Sequence, residues 1–390
     1  MKKRIIISGG GIAGLTAAKL LHNMGHEIIV IDKSKQFNKS GFLVSLKSFG
    51  VEIMDELGLK HHLIAESTPS EFMHWLDVNG GMIRNISYKE VNKNTSQSIL
   101  ITRGGLHNVL YEDIRDKVEI LFNTTIDHLE QDGGKVHVKL SSGITTVADM
   151  VIVSEGLRSL TRSKYFPESQ LEDFNLLYMG GRLMGKHSDN IGTVSIYLDV
   201  NKMLSIYPIS SNEVAIQCYI YTTDVLAKIH SNIKEILKDN FKSYSAEVRQ
   251  LIDGITENGQ LFLDKMGMVH APDLFNGNVV LLGDAGYCPT ALSGMGASLS
   301  IYGAKALAHF LSQSSKDIST SLVNYDKLMK PMIKKFQENA RNNARSFIPK
   351  SEADLSRFSE LFKTASDSEV SRMMTDQLIL TAEQKKFVIN

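Results

Sequence analysis

Only two cysteines occur in 390 residues, Cys218 and Cys288, and they are not at metal-ligand spacing. That excludes a disulfide framework and suits a reducing compartment. Charge of one sign is also missing: Lys+Arg and Asp+Glu both total 43. No global field draws the chain to nucleic acid or an anionic membrane. No stretch approaches the roughly 18 apolar residues of a membrane helix. Met1-Lys2-Lys3-Arg4 before Ile5-Ile6-Ile7 has the look of a secretory leader. The apolar run ends at once in glycines, too short for a signal core, so the expected location is cytoplasmic. Internal repeats, low-complexity tracts and a G-x-S-x-G nucleophile frame are absent. The 12 histidines are scattered, and the one adjacent pair, His61-His62, reads as a solvated helix end. No metal site is expected. Cys288 reads as a small buried thiol.

What is there is ordinary globular material, 43% hydrophobic and 22% charged, in a length that suggests two domains or one with an insertion. Arg4–Ser8 reads as a buried strand, Ile12–Met24 as a helix stopped by Gly25, and Glu27–Ile31 as a second strand: a βαβ start. Helices are expected at Phe49–Leu57 and Gly104–Arg115, and strands at Ser98–Thr102, Val118–Phe122 and Met150–Val153. Lys135–Leu140 and Ile144–Val147 form a hairpin about Gly143. Thr193–Leu198, Met203–Pro208 and Glu213–Tyr221 read as antiparallel strands, followed by helices Asn232–Lys242 and Ala246–Ile252. The tail is helical over Leu322–Ser346 and, after Pro349, Glu352–Thr375.

Two glycine turns stand far apart in this pattern. Gly9, Gly11 and Gly14 fit G-x-G-x-x-G between a strand and a helix, the arrangement that brings backbone N–H groups and a helix dipole to a pyrophosphate. Ile12, Ala13 and, at the end of the second strand, Asp32 and Lys33 complete that candidate site; Asp32 suits ribose hydroxyls. The second turn, Gly283-Asp284-Ala285, follows the apolar Val279–Leu282 and leads to Ser293-Gly294-Met295-Gly296. A dinucleotide held at both ends by such distant segments points to FAD rather than an exchanging NAD.

These motifs, in order, resemble the class A flavoprotein monooxygenases with the para-hydroxybenzoate hydroxylase-like fold. The resemblance spans nearly the whole chain. It implies an α/β protein: a Rossmann-like FAD-binding domain (1–170 and 271–320), an inserted β-sheet substrate domain (171–270, joined by part of 70–100) and C-terminal helices (321–390), the last a candidate lid. In the distal motif it assigns Asp284 to the ribityl chain, Pro289 to the flavin ring, and the backbone at Gly294, Met295, Gly296 and Ala297 to the pyrimidine edge. The glutamine and asparagine usual near Met295 and Ala297 are absent. The middle motif, Ser154-Glu155-Gly156-Leu157-Arg158, carries glutamate where the family has aspartate. Arg103 falls where an arginine reaches the ribityl–phosphate region, and Gly41 where the chain passes the isoalloxazine.

The activity so implied is flavin-borne, with no catalytic side chain. NADPH or NADH reduces FAD, O₂ adds at flavin C4a, and the hydroperoxide oxygenates an electron-rich substrate. Substrate-facing candidates are Arg182, Tyr207, Gln217, Tyr219, Pro289 and Phe358, with Met184, Tyr197 and Met203 open between cleft, core and surface. Leu361 and Phe362 join Phe358 as lid contacts. Within the family the Tyr287-Cys288-Pro289 run, the length and the extra helix resemble the tetracycline-inactivating monooxygenases. A phenolic or polyketide hydroxylase, and a flavin reductase or dehydrogenase that uses no O₂, remain alternatives. The expected assembly is a monomer with a small aromatic or polyketide substrate.

Overall fold

A computed structural model describes residues 2–39, 41–91, 98–185, 191–222, 232–313, 317–375 and 380–386. Its centre is a six-stranded sheet in the order Phe275–Asn276, Val279–Leu281, Met150–Val153, Arg4–Ser8, Glu27–Ile31, Glu119–Leu121. All neighbours run parallel except the two-residue edge strand. A parallel sheet is covered on both faces, which is why its strands are continuous apolar runs. Ile5, Ile7 and Val30 pack beneath the helices Ile12–Asn23 and Gly296–Gln313. Ile6, Ile29 and Val153 pack on the opposite face against a three-stranded antiparallel sheet, Ile126–Asp132, Lys135–Leu140 and Thr145–Ala148.

The second large layer is a seven-stranded sheet in the order Gln260–His270, Gln170–Met184, Glu213–Tyr221, Lys202–Ser210, Gly192–Asp199, Ser70–Leu76, Met82–Ser87. Alternation divides its residues. Met179, Tyr197, Leu204, Ile216 and Cys218 meet the helices Ile233–Phe241 and Ala246–Asn258. Tyr207, Ala215 and Tyr219 point the other way, into a cluster with Trp75, Leu292, Ile348 and Phe362. This second face looks toward the distal glycine turn and the C-terminal helices. A short ladder, Leu43–Leu46 with Ile99–Thr102, lies between the two layers.

Among the departures from the expected elements, three stand out. The 15-residue strand Gln170–Met184 and the strand Gln260–His270 were not anticipated; each breaks apolar alternation, and their pairing shifts register between Asp173 and Leu177. The helix Ala246–Asn258 runs past Ile252 to Gly259. The tail helix expected over Glu352–Thr375 is two helices, Glu352–Thr364 and Asp367–Thr375. Ser366 interrupts it: the Ser366 N–H donates to Glu369 Oε2 at 2.8 Å and the Glu369 N–H to Ser366 Oγ at 3.3 Å. That reciprocal cap starts a new helix, and Ser366-Asp367-Ser368-Glu369 spells it in the sequence.

Candidate active site

The site forms at the carboxyl ends of the parallel strands, where open α/β sheets take ligands. Strand Arg4–Ser8 ends in Gly9, and helix Ile12–Asn23 starts from Gly11 with no side-chain cap. A Cβ on Gly14 would collide with the Gly9 carbonyl oxygen and stand 2.7 Å from Ser154 Oγ, so the turn closes only over glycine. A Cβ on Gly11 would meet nothing within 4 Å. The turn is tight on its inner side and open on its outer one. Ile12 and Ala13 are buried, so they offer backbone only.

Asp32 stands beside this turn. Its Oδ2 accepts the Gly10 N–H at 2.8 Å and its Oδ1 the Ser34 N–H at 2.7 Å. Lys33 is exposed. His107, absent from the expected site, donates from Nε2 to the Gly10 carbonyl at 2.6 Å and packs its ring 4.8 Å from Phe37. Burial is the main cause lowering its pKa, which suits the neutral ring. Nothing in local sequence marks a histidine on a helix surface as a turn ligand.

The two glycine turns meet. Gly283 has φ +64°, and a Cβ there would lie 2.7 Å from the Ala13 Cβ. This contact brings Asp284, which follows it, to the first turn. Burial raises the Asp284 carboxyl pKa first of all; the Arg103 guanidinium and a hydrogen bond from Cys288 act against it. Arg103 itself begins the helix Arg103–Ile114 and is exposed to the groove, while Gly41 lies so close that a Cβ would be 2.8 Å from that of Arg103. A Cβ on Gly296 would stand 3.8 Å from Asp284 Oδ1. Asp32, Gly11, Arg103, Asp284 and Gly296 therefore border one continuous region.

The distal backbone is divided in use. Gly294 donates its N–H to the Ala291 carbonyl at 3.0 Å, and Met295 donates to Ser293 Oγ at 3.0 Å. Met295 is 1% exposed, its side chain in the core. The free donors are the first-turn N–H groups of the 18-residue helix that opens at Gly296 and Ala297. Between Pro289, which is buried, and this helix, Thr290 holds φ +64° and ψ 161°, a conformation nearly confined to glycine. Its Oγ1 accepts the Leu292 N–H at 3.2 Å and its carbonyl the Ser293 hydroxyl at 2.8 Å. Strain of this kind, held by surrounding bonds, gathers at ligand sites.

Glu155 has a defined task. It accepts hydrogen bonds from the hydroxyls of Ser8 (2.6 Å), Thr161 (2.6 Å) and Ser159 (2.7 Å), and from the Thr161 N–H (3.1 Å). It thus ties the end of the first strand to the helix Leu160–Tyr165, whose Arg162 reaches the Ala285 carbonyl at 3.0 Å. The extra methylene over aspartate spans that gap. Glu155→Ala is expected to cost about 1.5–3 kcal/mol, the range for hydrogen bonds to a charged group, measured by urea unfolding of the apoprotein. A loss below about 0.5 kcal/mol, the range of an ordinary surface change, would contradict this.

On the sheet side, Arg182 pairs with Glu213 at 2.7 Å. Gln217 donates to the Tyr219 hydroxyl at 2.8 Å, and the Tyr219 ring stacks on Tyr178 at 5.1 Å. Phe262 stands edge-on to Tyr178 and stacks on Phe42, the neighbour of Gly41, at 3.8 Å. The Tyr207 hydroxyl accepts the Leu43 N–H at 2.9 Å. Met203 is buried on this face. Tyr197 is not: it lies under the helices with Tyr244, in the core, as the one-residue alternation of its strand dictates. Met184 and Leu361 are exposed, 67% and 47%. Phe358 joins the Trp75, Phe347 and Phe362 rings at the margin of the same cluster.

Among the described residues no group of three or more His, Cys, Asp or Glu could hold a metal ion, and no helix is long and apolar enough to cross a membrane. A hollow lined by Lys2, Lys3, Gly25 and His26 lies at the opposite ends of the strands.

A strand–glycine turn–helix start joined to a distal Gly-Asp turn across a parallel sheet defines the fold of the class A flavoprotein monooxygenases. The chain belongs to the FAD binding domain family, whose profile matches residues 2–340. It is 25% identical over 356 residues to a flavin-dependent monooxygenase of Legionella longbeachae, covering 90% of each chain. Among solved structures, HpxO of Klebsiella pneumoniae complexed with FAD and uric acid aligns with TM-score 0.85 at 20% identity, over 96% of each chain. The tetracycline destructase Tet(55) aligns with TM-score 0.79 at 22% identity, over 97% of this chain and 98% of that one.

Proposed function

We propose that the protein is an FAD-dependent, NAD(P)H-consuming monooxygenase of a bulky electron-rich aromatic or polyketide, with a tetracycline as the foremost candidate. The observation that carries this reading is the meeting of Gly283 and Ala13, which brings the two turns together at one site. The residues fit FAD: an open outer face at Gly11, a carboxylate at Asp284 for hydroxyls, a guanidinium at Arg103 for phosphate, and unpaired helix-start N–H groups at Gly296 and Ala297. Asp32 would take the ribose, with Lys33 at the rim. Gly41 and Pro289 would flank the ring.

When bound, FAD accepts electrons from the nicotinamide and activates O₂ for transfer to the substrate. The chain's own part is to bind, orient and exclude water. Phe42, Phe262, Tyr178 and Tyr219 form an apolar wall beside Gly41, suited to a planar ring system. Gln217 and the Arg182–Glu213 pair supply polar groups along that wall. Phe358 and Phe362 would close its far margin. We divide the chain accordingly: 1–170 and 271–320 for the cofactor, 171–270 with strands Ser70–Leu76 and Met82–Ser87 for the substrate, and 321–390 as the cover. Protein monomers in a soluble compartment suit this reading. A compact nitrogen heteroaromatic is the second reading, favoured by the likeness to HpxO.

The test is turnover. Purified protein should carry FAD, and a tetracycline should accelerate NADPH or NADH oxidation and gain one oxygen atom from labelled O₂. Acceleration by urate-like heteroaromatics alone would favour the second reading. Reduction without incorporation of O₂-derived oxygen would make the protein a reductase and end both.

A further inference from the structure

Lys47 sits at the distal end of the groove without a counter-charge. It is the N-cap of the nine-residue helix Ser48–Glu56, and its backbone N–H donates to Ser298 Oγ at 2.8 Å, in the first turn of the helix from Gly296. Its Nζ donates to Ser45 Oγ at 2.8 Å. A Cβ on Gly294 would lie 4.0 Å from Lys47 Cε. Among the described residues no carboxylate lies within ion-pair distance of this ammonium. It instead shares its corner with the positive ends of two helices, each of which disfavours a cation.

Desolvation holds the Lys47 pKa down to about 8. An unpaired ammonium at two helix starts is stabilised by an anion entering the same corner. An aspartate or glutamate could have neutralised it; a serine hydroxyl does not. The corner is built for negative charge that arrives with a ligand.

We propose that the Lys47 ammonium is a charge partner for the reduced cofactor, set against the N1–C2=O edge of the flavin beside the Gly296 helix start. This rests on the FAD reading above. Hydride transfer from NAD(P)H delivers two electrons and one proton, releases the oxidised nicotinamide, and leaves the flavin with one negative charge when no second proton is taken up. That charge is delocalised over N1 and the C2 carbonyl. Oxidised flavin is neutral there, so a cation at this place discriminates between the two states rather than merely binding the coenzyme. Asp284 and Arg103 lie further along the groove and offset each other; Lys47 has no such offset.

The experiment compares wild-type holoenzyme with Lys47→Met, Lys47→Gln and Lys47→Arg. Midpoint potentials are read from flavin absorbance against a reference dye, and affinities for oxidised FAD from fluorescence. Both neutral variants should lose about tenfold of the preference for reduced over oxidised flavin, a fall of about 30 mV for a two-electron couple. Their affinity for oxidised FAD should change by less than about twofold, and the arginine variant should stay near wild type. A potential unchanged in the neutral variants overturns the inference. Equal weakening of both oxidation states also overturns it, since Lys47 then only holds the coenzyme. A second measurement needs no variant: 8-mercapto-FAD bound to wild-type apoprotein should adopt its red-shifted quinoid form, which carries charge at N1–C2=O. The thiolate form in wild type overturns the inference. Wild-type protein that takes up no FAD overturns the cofactor reading itself, and this inference with it.

Discussion

Gly14→Ala is expected to destabilise the apoprotein by about 3 kcal/mol and to abolish FAD binding at micromolar concentrations. Helix propensity alone argues the reverse, because alanine exceeds glycine by about 1 kcal/mol inside a helix. Sterics win here. The new methyl group would strike the Gly9 carbonyl oxygen, a backbone atom fixed by the turn, and crowd the Ser154 hydroxyl. Ser154 Oγ already donates to the Ser8 and Gly9 carbonyls at 3.0 and 2.8 Å, so it cannot swing away without losing both bonds. Gly11→Ala is the matched control. Gly11 has φ −78° and ψ −171°, open to any residue, and its Cβ would touch no protein atom. That variant should keep wild-type stability yet bind FAD about tenfold more weakly or worse, a loss of about 1.4 kcal/mol or more. Urea unfolding of the apoproteins and fluorescence titration with FAD check both. Wild-type stability in Gly14→Ala, or wild-type FAD affinity in Gly11→Ala, would contradict the reading of this turn as tight inside and open outside.

The first sheet was legible because its signals are local. Ile5-Ile6-Ile7 is apolar throughout, as a strand covered on both faces must be, and glycines punctuate its end. The antiparallel strands about Met203 and Glu213 showed the same clarity. Gln170–Met184 and Gln260–His270 did not, because a strand that crosses from an exposed end to a covered one carries no single period; Leu171 is exposed while Leu177 is buried. The division of the tail helix is written in Ser366 and Glu369, but the helical periodicity that runs across them masks this short cap signal.

The site shows the same split. Glycines announce themselves, since few other reasons place Gly9, Gly11 and Gly14 at that spacing. Which backbone groups remain free at the distal turn did not show: Met295 is consumed by Ser293, a fact of geometry. His107, Glu155 and Lys47 act through partners distant in sequence, Gly10, Ser8 and Ser298, and no one-dimensional pattern encodes such pairs. Tyr197 and Tyr219 differ only in which face of the sheet they occupy, and that choice depends on the register with neighbouring strands.

Asp284→Asn is expected to act in opposite directions on the empty protein and on the complex. Burial raises the Asp284 carboxyl pKa in the folded chain, and Arg103 and Cys288 offset this only in part. A carboxyl whose folded pKa lies above its unfolded one contributes stability below the ordinary aspartate range. That contribution is lost as the pH rises through the raised value. At neutral pH the charged carboxylate is therefore a burden on the apoprotein, and the neutral amide should unfold at a higher temperature than wild type. The advantage should shrink as the pH falls toward the ordinary carboxylate range, where wild type is neutral too. Binding reverses the sign. A carboxylate accepting ribityl hydroxyls forms charge-assisted hydrogen bonds, each about 1.5–3 kcal/mol, so Asp284→Ala should weaken FAD binding about ten- to a hundredfold. Asp284→Asn, which keeps one acceptor oxygen, should fall between. Thermal unfolding across pH without cofactor, paired with FAD titration, measures both halves. An apoprotein destabilised at neutral pH by Asp284→Asn would mean that the carboxylate is already satisfied by the protein. Unaltered FAD affinity in Asp284→Ala would remove Asp284 from the coenzyme.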